Sequence, residues 1–198
     1  MLFCRSLLMF LSVFTTTFAL GSEALYNYDS LIYRYNCVSC HGKDGHFPTV
    51  PGYPRIGGLS QGYLKQQLQD FRSGKRVNSR GKTMHDLARA FSDDVIEALS
   101  TEISAYTLPA VKSVPEHPGK KLYAEKGCIA CHGMDGSQPI ASFYPAIAGQ
   151  HRDYLYTQST DIKYKRRTGG QAVAMAAIIA AVPDEDLKVI SEWLESVR

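Results

Sequence analysis

The chain of 198 residues is long enough for one large domain or two small ones, and with 44% apolar and 21% charged residues it has the composition of a globular rather than a disordered protein. A formal charge of +3, from 22 Lys and Arg against 19 Asp and Glu, forms no basic stripe and so argues against a nucleic-acid partner. Five cysteines, an odd number, exclude a simple disulfide framework.

In chain order, residues 1–21 read as a secretory signal. Arg5 supplies the charge, Leu7–Leu20 is an apolar run broken only by Ser and Thr, and Ala19-Leu20-Gly21 places small residues before a cut near Gly21. That run is short of the roughly 20 residues that a spanning helix needs. Cys4 therefore leaves with the leader, and from Ser22 onward 21 basic residues face 19 acidic ones, a surplus of one in each half.

A helix is expected over 29–36, with Leu31, Ile32 and Tyr35 at helical spacing. It leads into Cys37-Val38-Ser39-Cys40-His41. C-x-x-C-H is the attachment signature of c-type haem. Two thiols add across the porphyrin vinyl groups, so both must sit on one short arc, and the next histidine offers its Nε2 to the iron. A turn at Gly42–Gly45 and a Pro- and Gly-rich loop follow, then a helix over Ser60–Arg72 with Tyr63, Leu64, Leu68 and Phe71 on one face. A polar basic loop, Ser73–Lys82, reaches Met84. Ser92 is the cap of a further amphipathic helix, with Asp93 and Asp94 at its positive end. Thr107–Gly119, with three prolines and no apolar period, reads as a linker between domains at 22–106 and 120–198.

The pattern then starts again, and adding 91 to a residue number maps the first half onto the second without a gap. Cys37, Cys40 and His41 fall on Cys128, Cys131 and His132; Tyr53-Pro54-x-Ile56-x-Gly58 falls on Tyr144-Pro145-x-Ile147-x-Gly149. Tyr63-Leu64, Gln67 and Asp70 fall on Tyr154-Leu155, Gln158 and Asp161, and Met84 falls on Met175. Each methionine lies 43 residues after its histidine (41 to 84, 132 to 175) and before a C-terminal amphipathic helix. A thioether folded over the far haem face would complete His/Met ligation, which favours ferrous iron and raises the potential. Met84 and Met175 are thus the expected sixth ligands, as against the core-filling role most methionines have. Met134, two residues from His132, is too near it to reach that face. His85 adjoins Met84, but its repeat mate is Ala176, which points to packing or solvation. His46, His117 and His151 lack histidine counterparts and read as surface residues. The Pro54 and Pro145 carbonyls are placed to accept from the ligand imidazoles. A zinc ribbon would bring two C-x-x-C pairs far closer, and a thioredoxin-like pair would follow a strand.

The C-x-x-C-H-G-x-D-G, Y-P-x-I-x-G and Y-L-x-x-Q motifs and the distal Met, each present twice over Leu31–Val197, resemble the dihaem cytochrome c4 family. The resemblance implies an all-α fold of two tandem class I cytochrome c domains across a pseudo-twofold axis, with two covalent haem c groups near the interface. It also implies a periplasmic electron carrier, soluble or loosely membrane-associated, with a quinol-oxidising donor and a terminal oxidase as acceptor and no small-molecule substrate. The small, apolar stretch Gly169–Ala174 before Met175 departs from the family's polar loop. Two other functions compete. One is a dihaem subunit of a dehydrogenase complex such as flavocytochrome sulfide dehydrogenase. The other is a haem peroxidase, which two placed methionines oppose.

Overall fold

The structure, a computed structural model, describes residues 29–108, 110–111 and 113–197; the expected leader and Cys4 lie outside them. All regular structure among the described residues is helical, with no strand. Each half runs through the same five helices. The first contains α1 (Leu31–Arg34), α2 (Val38–His41), α3 (Gln61–Arg72), α4 (Gly81–Ala88) and α5 (Asp93–Ala105). The second contains α6 (Pro118–Glu125), α7 (Ile129–His132), α8 (Arg152–Lys163), α9 (Ala172–Ile179) and α10 (Asp184–Ser196).

In both halves the first and last helices pack together and the third helix packs on the last. In the first half Ile32 meets Ile96, Leu99 and Ile103 in a core whose members are at most 9% exposed. Burying each such aliphatic side chain stabilises the fold by about 1.5–3 kcal/mol. The repeat step carries Ile32 onto Tyr123, and Ile96, Leu99 and Ile103 onto Leu187, Ile190 and Leu194, all buried in the second half. The two cores are the same core with different fillings.

The ends of the long helices follow local rules. Ser92 accepts from the Val95 amide at 3.3 Å, as its cap position predicts, and Asp93 and Asp94 occupy the first turn. Pro183 precedes α10, whose first turn holds Asp184, Glu185 and Asp186.

Three elements differ from the sequence expectation. Only Leu31–Arg34 of the 29–36 stretch is helical, because Asn36 takes φ 55° and turns the chain into Cys37. Helix α4 begins at Gly81, so Met84 stands on a helix rather than at the end of a loop. Helix α6 begins at Pro118, inside the Pro-rich stretch; proline suits the first helical turn, where its missing N–H has no partner to lose.

One carboxylate ties the ends of the first half together. Glu102 of α5 accepts from the Ser30 hydroxyl at 2.5 Å and from the Leu31 and Ile32 amides at 2.8 and 3.1 Å, at the start of α1. Burial opposes its ionisation, but those hydrogen bonds win and hold its carboxyl below the usual range. A depressed carboxyl stabilises the fold above its unfolded value of about 4.3 and loses that effect as pH falls through the folded value. Glu102→Gln is therefore expected to lower stability at neutral pH by about 1 kcal/mol, in line with loss of a helix cap. The gap to wild type should close on acidification, measured as urea midpoints at about pH 7 and about pH 3.

Candidate haem-binding site

Each pentapeptide forms a one-turn helix, α2 or α7, that ends on its histidine. The following glycine is obligatory at this corner. Gly42 has φ 75° and Gly133 φ 81°, and a Cβ would stand 1.9 Å from the Phe47 carbonyl oxygen or 2.2 Å from that of Gln138. In the second half the Tyr123 hydroxyl also donates to the Gly133 carbonyl at 2.8 Å, which pins the turn after His132.

The two imidazoles are buried, 5% and 9% exposed, and are held alike. His41 Nδ1 donates to the Pro54 carbonyl at 2.8 Å, and His132 Nδ1 to the Pro145 carbonyl at 3.0 Å, as the sequence anticipated. This fixes each tautomer with Nε2 unprotonated and available to a metal. Burial lowers the pKa of both, which keeps them neutral despite the carbonyl bonds. Burial likewise pushes the Cys37 and Cys128 thiols up to about 11. Among the described residues no three His, Cys, Asp or Glu side chains cluster as a metal site.

A single cavity of about 760 Å³ brings the predicted residues together. Cys37, Cys40, His41 and Met84 line it from the first half, and Cys128, Cys131, His132 and Met175 from the second. Most other lining side chains are apolar, among them Leu64, Leu68, Phe71, Leu155, Ile162 and Ile190. Paired thiols, an imidazole with free Nε2 and a thioether, twice around one largely apolar space, are the donors that covalent haem needs. His85 turns elsewhere: its Nδ1 donates to the Phe71 carbonyl at 2.6 Å. His46 is half-buried, not a surface residue, because it lies over the face of Gly57. His117 caps α6 by accepting from the Gly119 amide at 3.0 Å, and His151 reaches Glu195 at 3.3 Å.

These observations agree with the comparisons to known proteins. A family model for cytochrome c matches residues 117–198. A thiosulfate dehydrogenase electron acceptor from Stutzerimonas stutzeri is 32% identical over 174 residues, 81% of this chain and 78% of the relative. Cytochrome c4 from Pseudomonas aeruginosa is 27% identical, over 82% of this chain and 84% of that one. The solved structure of Acidithiobacillus ferrooxidans cytochrome c4 superposes with a TM-score of 0.70 at 27% identity, covering 81% of this chain and 98% of that one. The chain belongs to the cytochrome c4 family. It is built from two tandem class I cytochrome c domains, carries two covalently bound haem c groups and is an electron-transfer protein, not an enzyme.

Two features of this protein escaped the sequence reading. The first is the pair Arg76 and Arg167, which the step of 91 relates and which lie buried between the halves. The same step could have found them, since they are basic residues amid a diverged loop. The second is an outward asymmetry of the methionine helices. On α4 the exposed positions include Lys82 and Asp86; on α9 their repeat mates are Val173 and Ala177, also exposed.

Proposed function

We propose that residues 22–106 hold one haem through Cys37, Cys40, His41 and Met84, and residues 120–198 the other through Cys128, Cys131, His132 and Met175. Each haem c supplies a one-electron iron couple when bound. The cysteine pairs fix its position, and the prolines' carbonyls orient the histidines and raise their basicity. The methionines close the remaining position and favour the reduced state. The apolar cavity wall keeps water away from both sites.

The protein then works as a periplasmic shuttle that accepts electrons from a dehydrogenase and delivers them towards a terminal oxidase. The observation that carries this reading is the presence of both complete ligand sets around one shared cavity. With both ends closed by side chains, the chain exchanges electrons with partners and offers a small molecule no site. Among the described residues no helix is long and apolar enough to cross a membrane, which suits a diffusing carrier. The donor is best read from the 32%-identical relative, named as an acceptor for thiosulfate dehydrogenase. A sulfur-compound dehydrogenase is the corresponding donor here. The same likeness favours, as a second reading, a cytochrome held by a dehydrogenase, as in flavocytochrome sulfide dehydrogenase.

Stopped-flow absorbance on the dihaem protein tests this. Thiosulfate with a thiosulfate dehydrogenase should reduce it, and membranes containing a terminal oxidase should reoxidise it, whereas hydrogen peroxide should react slowly. Fast turnover with peroxide and none with the membranes would remove the carrier reading. Stoichiometric co-purification with a flavoprotein would favour the bound-subunit reading.

A further inference from the structure

One side chain of the second half reaches the peptide that holds the histidine of the first. Gln150 is 5% exposed and lines the cavity. It follows Gly149, whose N–H donates to the Leu194 carbonyl at 2.8 Å and so anchors this stretch to the end of α10. Gln150 Oε1 accepts from the Arg55 amide at 2.8 Å, and its Nε2 donates to the Arg55 carbonyl at 2.9 Å. Together the two bonds fix which end of the side-chain amide faces which group. The Arg55 N–H belongs to the same peptide unit as the Pro54 carbonyl, and that carbonyl accepts from His41 Nδ1 at 2.8 Å. The hydrogen bonds therefore run in series, from the His41 imidazole through the Pro54–Arg55 peptide to Gln150.

A peptide whose N–H is donated becomes a better acceptor at its carbonyl, because both bonds polarise the amide in the same sense. Such chains strengthen each bond by about 10–30%. A stronger acceptor draws the Nδ1 proton and makes Nε2 a stronger donor to a metal. Added electron density at iron favours the ferric state and lowers the potential. The second half lacks this arrangement. The repeat step carries Arg55 onto Ala146 and returns Gln150 to Leu59. Leu59 belongs to the apolar core against which Ala146 packs, and its side chain has no atom that could accept from the Pro145–Ala146 peptide. The first half holds that loop at Ser142 instead, where the Ser60 hydroxyl donates to the carbonyl, three residues before Pro145. Two histidines with the same carbonyl bond thus differ in what stands behind it.

We propose that Gln150 is a positioning residue for the iron ligand of the opposite half, acting through the Pro54–Arg55 peptide to strengthen His41 as a donor and to hold the first haem's potential below the value its own half would give it. The stretch that carries Gln150 also carries Pro145. Residues 145–150 of the second half therefore serve both imidazoles, directly at His132 and by relay at His41. The relay runs one way, since Leu59 returns nothing, and it separates the potentials of two haems with identical ligands. The proposal rests on His41 being an iron ligand, which the reduced protein reports separately.

The test uses the full dihaem protein and two readouts. One is proton NMR of the reduced, diamagnetic state. The other is an optical redox titration resolved into two steps, the first-half step being the one that Met84→Ala displaces. The porphyrin ring current carries the ring protons of an iron-bound imidazole far upfield, so finding those of His41 there establishes ligation. Their absence would remove the ligand reading and the relay with it, whereas the results below bear on the relay alone. In wild type the Nδ1 proton of His41, the more strongly held, should resonate downfield of that of His132. Gln150→Leu, which copies the residue at the repeat position, should move the His41 proton upfield, leave that of His132 in place and raise the first potential. A merely structural role predicts the opposite sign, because a loosened loop admits water, which favours the charged ferric haem. Gln150→Glu keeps an acceptor for the Arg55 amide, so the His41 proton should stay downfield and the first potential should not rise. A first potential that stays or falls in Gln150→Leu would overturn the relay, as would a rise without the upfield shift of the His41 proton. So would a rise in Gln150→Glu, or a second potential that moves as far as the first. Should the variants fail to accumulate, the wild-type spectrum decides: a His41 Nδ1 proton downfield of its His132 counterpart supports the relay, and one level with it or upfield overturns it.

Discussion

Met84→Ala and Met175→Ala are each expected to abolish one of two thioether-to-iron charge-transfer bands and to lower one of the two reduction potentials. The fall should be a sizeable fraction of the roughly 0.8 V span that axial ligands command. The expectation follows from placement on helices. Met84 stands in the middle of α4, half-buried against the first core, and Met175 in the middle of α9 against Ile162, Ala172 and Ile179. A thioether held by a helix that itself packs on α3 or α8 loses little freedom on binding. No nearby side chain replaces it. His85 is committed to the Phe71 carbonyl, and Ala176 stands at its counterpart. Neither variant should lose covalent haem, because the thiols and imidazoles lie on α2 and α7. Oxidised spectra of the two single variants and the double variant check this. Both bands persisting in the double variant would remove these methionines as ligands, and a bis-histidine spectrum in wild type would point to His85.

Much of this site was legible because attachment chemistry is local. Two thiols and an imidazole must fit on one turn, so the motif is contiguous, and duplication repeats it at a constant step. The Pro54 and Pro145 carbonyls were legible for the same reason, being part of a repeated loop. Helices α4 and α9 were not. Helix α4 has only eight residues, starts on a glycine and follows a polar stretch. Helix α9, Ala-Val-Ala-Met-Ala-Ala-Ile-Ile, is apolar on every side, so its periodicity says nothing about which face is inward. Both turn part of their surface to a cavity meant for a cofactor, and a pattern argument that counts protein contacts is blind there.

The seam was illegible for a different reason. Its partners are far apart in sequence, as with Arg55, whose amide donates to Gln150 Oε1 at 2.8 Å and whose carbonyl accepts from Gln150 Nε2 at 2.9 Å. Duplication also conceals how the halves diverge. Asn78 and Ser79 reach across to Asp161, but their repeat mates are Gly169 and Gly170, which lie against Asp70. A Cβ on Gly169 would stand 2.5 Å from Asp70 Oδ2, so the second half exchanges a polar tie for a close backbone approach. Equal motifs thus sit in unequal surroundings, which gives two sites with the same ligands a physical reason to differ in potential.

The same divergence sets the largest stability effect. Where the first half uses Glu102 to tie α5 to the start of α1, the second half places Trp193, fully buried, between α10 and α6. Its ring lies 5.0 Å from that of Tyr123, and its Nε1 donates to the Pro115 carbonyl at 3.3 Å. Gly119 makes room for it: a Cβ there would stand 2.6 Å from the Trp193 Cβ. Trp193→Ala removes the side chain, its ring contact and its hydrogen bond at once, and α6 packs too closely at Gly119 to collapse into the space. A loss of about 3–5 kcal/mol is expected, a large share of the roughly 5–15 kcal/mol of a typical domain. Because Tyr123 also pins the Gly133 turn, the loss should reach His132 before it reaches His41. Urea unfolding followed at the methionine charge-transfer bands is the measurement. One band should vanish at lower urea than the other in Trp193→Ala. If both bands shift together, or the unfolding free energy falls by less than about 1 kcal/mol, the α6–α10 contact does not hold the second haem site in the way its geometry indicates.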